Sequence, residues 1–123
     1  MMKVIHTDRA PAALGPYSQA YISNGFLFTS GQIGADPATG KAGATLAEQA
    51  EQVMKNLSAL LEAAGTDFSH VVKTTCFLAD MGDFAEFNEI YARYFTGKPS
   101  RSFVAVKTLP KELLVEVELI AEV

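Results

Sequence analysis

The chain has 123 residues, which at about 150 residues per domain corresponds to one domain spanning 1–123 and leaves no room for a second. Apolar residues make up 49% of it and aromatic ones 10%, enough to bury roughly two thirds of the unfolded chain's surface without disulfides or metals. Ten Lys+Arg against fourteen Asp+Glu give a net charge of −4 and a pI near 5.1, the wrong sign for counterion release from a phosphate backbone. Neither nucleic acid nor an anionic membrane is therefore an expected partner.

His6, Asp8 and Arg9 interrupt the N-terminal segment before an apolar run can form, and no stretch elsewhere approaches about 20 apolar residues. A soluble, unexported, cytoplasmic protein is expected. The single cysteine, Cys76, has no internal partner, which fits a reducing compartment.

In chain order, Tyr21-Ile22-Ser23 and Phe26 to Ser30 flank Asn24-Gly25. Asn-Gly between β-rich runs predicts a hairpin, because both turn positions need positive φ. The stretch from Gly31 to Gly43 collects Gly, Pro, Asp and Thr and reads as a loop. Thr45-Leu46-Ala47-Glu48 is a capping box, and apolar residues from Leu46 to Ala64 then recur at helical spacing until Gly65. Val71 to Leu78 is β-branched and largely apolar, the pattern of a central strand buried on both faces.

Asp83-Phe84-Ala85-Glu86 predicts the cap of a second helix, whose stripe runs Phe84, Phe87, Ile90, Tyr91, Tyr94 and Phe95 before Gly97 and Pro99 end it. Two strands follow, about Arg101 to Val106 and Leu113 to Glu122, around a turn at Leu109-Pro110-Lys111. The order strand, strand, helix, strand, helix, strand, strand predicts an α+β fold with both helices on one sheet face. In the last strand the odd positions are apolar, while Glu116, Glu118 and Glu122 fall on the even face. Phe26, Phe28, Phe77 and Phe103 add more apolar surface than two helices can cover, which predicts an oligomer whose sheets meet.

Several chemistries are excluded by spacing. Five residues separate Gly34 from Gly40, and Ala42 follows Lys41 where a phosphate loop needs Ser or Thr. His6, His70 and Cys76 share no ligand spacing, so no metal is implied. Cys76 sits in a buried-strand pattern and reads as an inert core thiol, and no Gly-x-Ser-x-Gly elbow supports a serine hydrolase. Arg101 stands out as one of three arginines, at the start of a strand. Its planar fork could clamp a carboxylate or simply pair with an acid at the sheet edge. Glu116 is either solvated or, under an interface, an acid-base group. Asn88 reads by default as a solvated residue of the second helix.

Gly15-Pro16-Tyr17-Ser18-Gln19-Ala20, Ser30-Gly31-Gln32-Ile33, Pro99-Ser100-Arg101-Ser102, and Leu109-Pro110-Lys111 followed by Val115-Glu116-Val117-Glu118 are each weak signals. Together, in this order and over nearly the whole chain, they resemble the reactive intermediate deaminase family (RidA, also called YjgF), small proteins that hydrolyse 2-imino acids. The resemblance implies a chorismate-mutase-like fold, a mixed sheet with two helices on one face, and a homotrimer with three active sites in clefts between subunits. It also implies that Arg101 binds the substrate carboxylate, that Glu116 positions or activates water, and that Tyr17, Ser30, Gly31, Asn88 and Phe103 line the pocket. Phe103 departs from the small residue or cysteine common at its place, which puts the pocket volume in question.

Imines of pyruvate and 2-oxobutanoate, formed from enamines released by pyridoxal-phosphate dehydratases, are the implied substrates, and no cofactor is required. The rival reading is a non-catalytic trimer that binds a small carboxylate or regulates a partner; Glu116 beside Arg101 favours catalysis. Ribonuclease activity, attributed to some relatives, is disfavoured by the acidic charge balance and the lack of an Arg/Lys cluster.

Overall fold

The computed structural model describes residues 2–123. Strand β1 (Lys3–Ile5) pairs with β2 (Ala20–Ser23), which turns back as β3 (Phe26–Thr29). The expected hairpin is realised, with Asn24 at φ 55° and Gly25 at φ 83°; positive φ at both positions matches the turn to the strand twist. After β4 (Gln32–Ile33) come helix α1 (Leu46–Ala63), strand β5 (Val71–Leu78), helix α2 (Phe84–Tyr94), strand β6 (Ser100–Ala105) and strand β7 (Val115–Glu122). The sheet order is β1-β2-β3-β7-β5-β6, with β4 on β7. Only β5 and β6 are parallel, joined by the crossover through α2.

Helix α1 begins as its sequence dictates. Glu48 N–H donates to Thr45 Oγ1 at 3.1 Å, and Thr45 N–H donates back to Glu48 Oε1 at 3.2 Å. At its far end Gly65, at φ 81°, ends the run. The helix buries Ala50, Val53, Met54, Leu57, Leu60 and Leu61 against the odd face of β7, where Val115, Val117, Leu119 and Ala121 are also buried. Each of the larger side chains contributes about 1.5–3 kcal/mol by leaving water. The one wholly buried amide, Asn56, donates to the Ile33 and Ala35 carbonyls at 3.0 Å and accepts from Gln52. It ties the β4 loop to α1.

In four respects the structure corrects or adds to what the sequence implies. Asp83 makes no capping hydrogen bond with its side chain; a 3-10 turn over Met81–Asp83 runs straight into α2, and Asp80 caps that turn by accepting from Gly82 N–H at 2.8 Å. Strands β6 and β7 are not neighbours, because β5 lies between them. Two short strands, β1 and β4, escape a periodicity search because three and two residues carry no period. Finally, β5 is buried on one face only: Val71, Thr74, Cys76 and Leu78 are buried, whereas Lys73, Thr75 and Phe77 are half-buried and Val72 is exposed.

The face away from the helices is therefore open in the single chain. Val4, Tyr21, Phe28 and Val104 on it are 39–49% exposed, beside half-buried Phe26, Phe77 and Ile120. Phe103, expected to add to this excess, faces the other way. It pairs with buried Cys76, and its ring packs edge-on against Phe84 and Phe87.

Candidate functional site

Glu116 sits on β7 opposite Phe77 of β5 and Ile33 of β4. Alternation with buried Val115 and Val117 turns it to the open face of the sheet. There it joins Tyr17, Ser30, Gly31, Ile33 and Lys111 along a cleft of about 650 Å³.

The cleft wall is fixed by backbone contacts. Gln19 is buried; its Oε1 accepts from Thr7 N–H at 2.8 Å, and its Nε2 donates to the Thr7, Ala10 and Pro11 carbonyls. Ser30 Oγ donates to the Ser18 carbonyl at 2.6 Å. The Gly15–Ala20 and Ser30–Ile33 strings are thus braced against each other, with Tyr17 exposed at the rim.

Gly31 permits this packing for a steric reason. A Cβ there would collide with Glu116 Oε2 and stand 2.8 Å from its Cδ. The Glu116 carboxylate is half-buried, and among the described residues it has neither an ion pair nor a hydrogen bond. Burial, followed by repulsion from Glu118, holds its pKa above the ordinary glutamate value. Lys111, a turn residue within the Leu109-Pro110-Lys111 string and not among the expected site residues, lines the same cleft from a left-handed backbone, φ 57°.

Arg101 stands in different surroundings. It is the second residue of β6, opposite Thr74, which is buried and hydrogen-bonded to the Tyr91 hydroxyl at 2.8 Å. Its Nη1 donates to Asn88 Oδ1 at 2.7 Å, so Asn88 is half-buried and engaged rather than free in solvent. The guanidinium carbon lies 4.8 Å from the ring centroids of both Tyr91 and Phe103, and 5.8 Å from that of Phe84. No carboxylate among the described residues pairs with it, so the edge ion pair open to it in sequence does not form. Tyr91 and Phe84 had registered only as an apolar stripe, since a stripe cannot tell which of its rings meets a cation.

The expected site residues thus separate into two groups. Tyr17, Ser30, Gly31 and Glu116 share the cleft on the open face, whereas Arg101, Asn88 and Phe103 cluster under α2 on the helix face. Strand spacing of about 4.8 Å and a rise of about 3.3 Å per residue put the Arg101 and Glu116 Cα atoms roughly 14 Å apart, with side chains on opposite faces. Within one chain they do not meet. Cys76 is fully buried, which pushes its thiol up to about 11 and makes it a poor nucleophile.

These features define a two-layer α+β protein with a glutamate in a cleft on one sheet face and an arginine fork on the other, neither of them in an ion pair among the described residues. The chain belongs to the RidA/YjgF family: the family model described as Endoribonuclease L-PSP matches residues 7–123. A Lactococcus lactis protein named as a candidate regulator, AldR, is 52% identical over 99% of this chain and 98% of its own length. The 2-iminobutanoate/2-iminopropanoate deaminase of Rattus norvegicus is 50% identical over 97% of this chain and 88% of its own. The crystal structure of E. coli TdcF with bound serine shares the fold at a TM-score of 0.94 and 41% identity, covering 98% of each chain. No helix among the described residues is long and apolar enough to cross a membrane.

Proposed function

We propose that this protein is a homotrimeric deaminase that hydrolyses 2-imino acids of the 2-iminobutanoate and 2-iminopropanoate type to 2-oxo acids and ammonia. The observation that carries the reading is the Glu116 carboxylate, half-buried against Gly31 and in no ion pair among the described residues. Such a group can take a proton from water, whereas a salt-bridged one is held in its charged form.

Water attacks the electrophilic carbon of the protonated imine while Glu116 accepts one of its protons, giving a neutral tetrahedral carbinolamine. Glu116 returns that proton to nitrogen, the C–N bond breaks as the hydroxyl oxygen forms the carbonyl, and the hydroxyl proton leaves with ammonia as ammonium, giving the 2-oxo acid with no redox change. Arg101 orients the substrate by its carboxylate through two parallel N–H···O bonds. Reacting groups must stand about 3–3.5 Å apart, and Arg101 and Glu116 on opposite faces of one sheet cannot satisfy that together. A second copy supplies the missing half, and the open apolar sheet face is the surface through which copies meet. The names of the rat enzyme and of the serine-bound TdcF structure agree with a small ligand bearing an α-carboxylate. The role in the cell is to clear a reactive by-product in the cytoplasm, where Cys76 stays reduced.

The test couples a threonine dehydratase to the protein and times the release of ammonia and 2-oxobutanoate. Arg101→Lys lowers kcat/KM by about thirtyfold or more, because a point ammonium cannot reproduce the bidentate contact. Full activity in that variant would remove Arg101 from the mechanism. No acceleration by the unaltered protein would leave only carboxylate binding.

A further inference from the structure

We propose that Phe103, with Tyr91, is a positioning residue that sets the Arg101 fork for its ligand. This deepens the deaminase reading and rests on Arg101 being its carboxylate anchor. The two rings flank the guanidinium at equal distances, 4.8 Å from each centroid. The only hydrogen bond that the Arg101 side chain makes among the described residues is the single one to Asn88. A flexible side chain with one hydrogen bond and no ion pair would otherwise sample several orientations. Cation–π attraction to two faces restrains it while leaving the rest of its donors free.

The rings can do this because they are themselves held. Tyr91 is anchored by its hydroxyl to buried Thr74 at 2.8 Å and stacks on Phe95 at 4.2 Å. Phe103 is wedged edge-on between Phe84 at 4.7 Å and Phe87 at 5.4 Å. Residues two apart on a strand share a face, so Phe103 follows Arg101 directly along β6. A ring there reaches the guanidinium, whereas a short side chain would not. The large residue at this position therefore tightens the anchor from the helix face.

The experiment compares Phe103→Leu, which keeps apolar bulk, with Phe103→Tyr, which keeps the ring. Loss of one ring face raises KM for the imino acid, and Kd for 2-oxobutanoate, by about fivefold with kcat within about twofold; the tyrosine variant restores both constants. The Arg101 Nε–Hε resonance, assigned by its disappearance in Arg101→Lys, carries a ring-current shift that collapses in the leucine variant and persists in the tyrosine one. A merely structural role would lower the melting temperature without moving that resonance or separating KM from kcat. Unchanged KM in Phe103→Leu, or equal defects in both variants, overturns the proposal. Full turnover in Arg101→Lys would instead sink the deaminase reading of Arg101, so the two failures are told apart.

Discussion

Glycine 31 offers the sharpest separation between folding and chemistry. Its backbone is not in the left-handed region, so alanine brings no conformational strain, and the three atoms nearest the added Cβ all belong to the Glu116 side chain: Oε2 in collision, Cδ at 2.8 Å and Cγ at 3.1 Å. The obstacle is the movable end of a side chain, so the carboxylate shifts by about 1 Å or more while the sheet stays in register. Overpacking of that kind costs about 1 kcal/mol, or roughly 4 °C in melting temperature for a domain of this size. Displacing a reacting group by about 1 Å costs on the order of 10²-fold in rate.

Gly34→Ala is the matched control. There the Cβ would stand 2.6 Å from both Cα and the carbonyl oxygen of Gln49, backbone that cannot step aside without moving α1. That variant loses about 3 kcal/mol or more, since helix and loop must separate. Thermal unfolding and ammonia release, measured on both proteins, should therefore rank them oppositely: Gly31→Ala nearly as stable as the unaltered protein but about 10²-fold slower, Gly34→Ala clearly destabilised. Wild-type turnover in Gly31→Ala, or equal losses of stability in the two variants, would refute the argument.

Glu116→Gln keeps the shape of the side chain but cannot accept a proton, so kcat falls on the order of 10²-fold while binding of 2-oxobutanoate, followed by titration, persists. In the unaltered protein kcat/KM for imino-acid hydrolysis should fall as pH drops through the Glu116 pKa, and that acidic limb should lie above the ordinary glutamate value because burial raises it; a limb at or below that value would contradict the burial argument. The raised pKa also means that the folded state binds this proton more tightly than the unfolded one, so the stabilisation it provides at low pH is lost as pH rises through the folded value, a slope that Glu116→Gln should remove from melting curves. Phe28→Glu, which puts a charge on the open sheet face, should give monomers by light scattering at micromolar concentration and abolish activity; an active trimer would show that copies do not meet there. Asn56→Ala leaves the Ile33 and Ala35 carbonyls without their donor and should cost roughly 2 kcal/mol or more in denaturant unfolding.

Local order was legible in the residues because its causes are local. Asn24-Gly25 permits only a few turns, Thr45 and Glu48 satisfy each other's backbone donors, and the apolar run from Leu46 to Gly65 has one period and one stop. The alternation in Val115 to Glu122 likewise announced that one face of β7 would be buried and that Glu116 would lie on the other. Strand order and partnership came only with tertiary structure: nothing near β7 in sequence dictates that it inserts between β3 and β5, or that β6 runs parallel to β5 at the sheet's edge. The second helix was seen but its cap was misplaced, because a short 3-10 turn from Asp80 competes with a capping box at Asp83 and leaves no distinct pattern.

The same division runs through the site. Arg101 and Glu116 stand out in the sequence only as candidates, each with a bland reading beside it, and their faces depend on pairing across β5, with Thr74 turning one toward α2 and Phe77 turning the other away. Asn88 acquired its role from an arginine thirteen residues downstream, and Phe103 joined the rings around that arginine instead of the exposed face. A strand's alternation fixes only which residues share a side; which side each strand presents, and what waits there, is settled by the long-range hydrogen bonds that close the sheet and by the helices that bury one of its two surfaces.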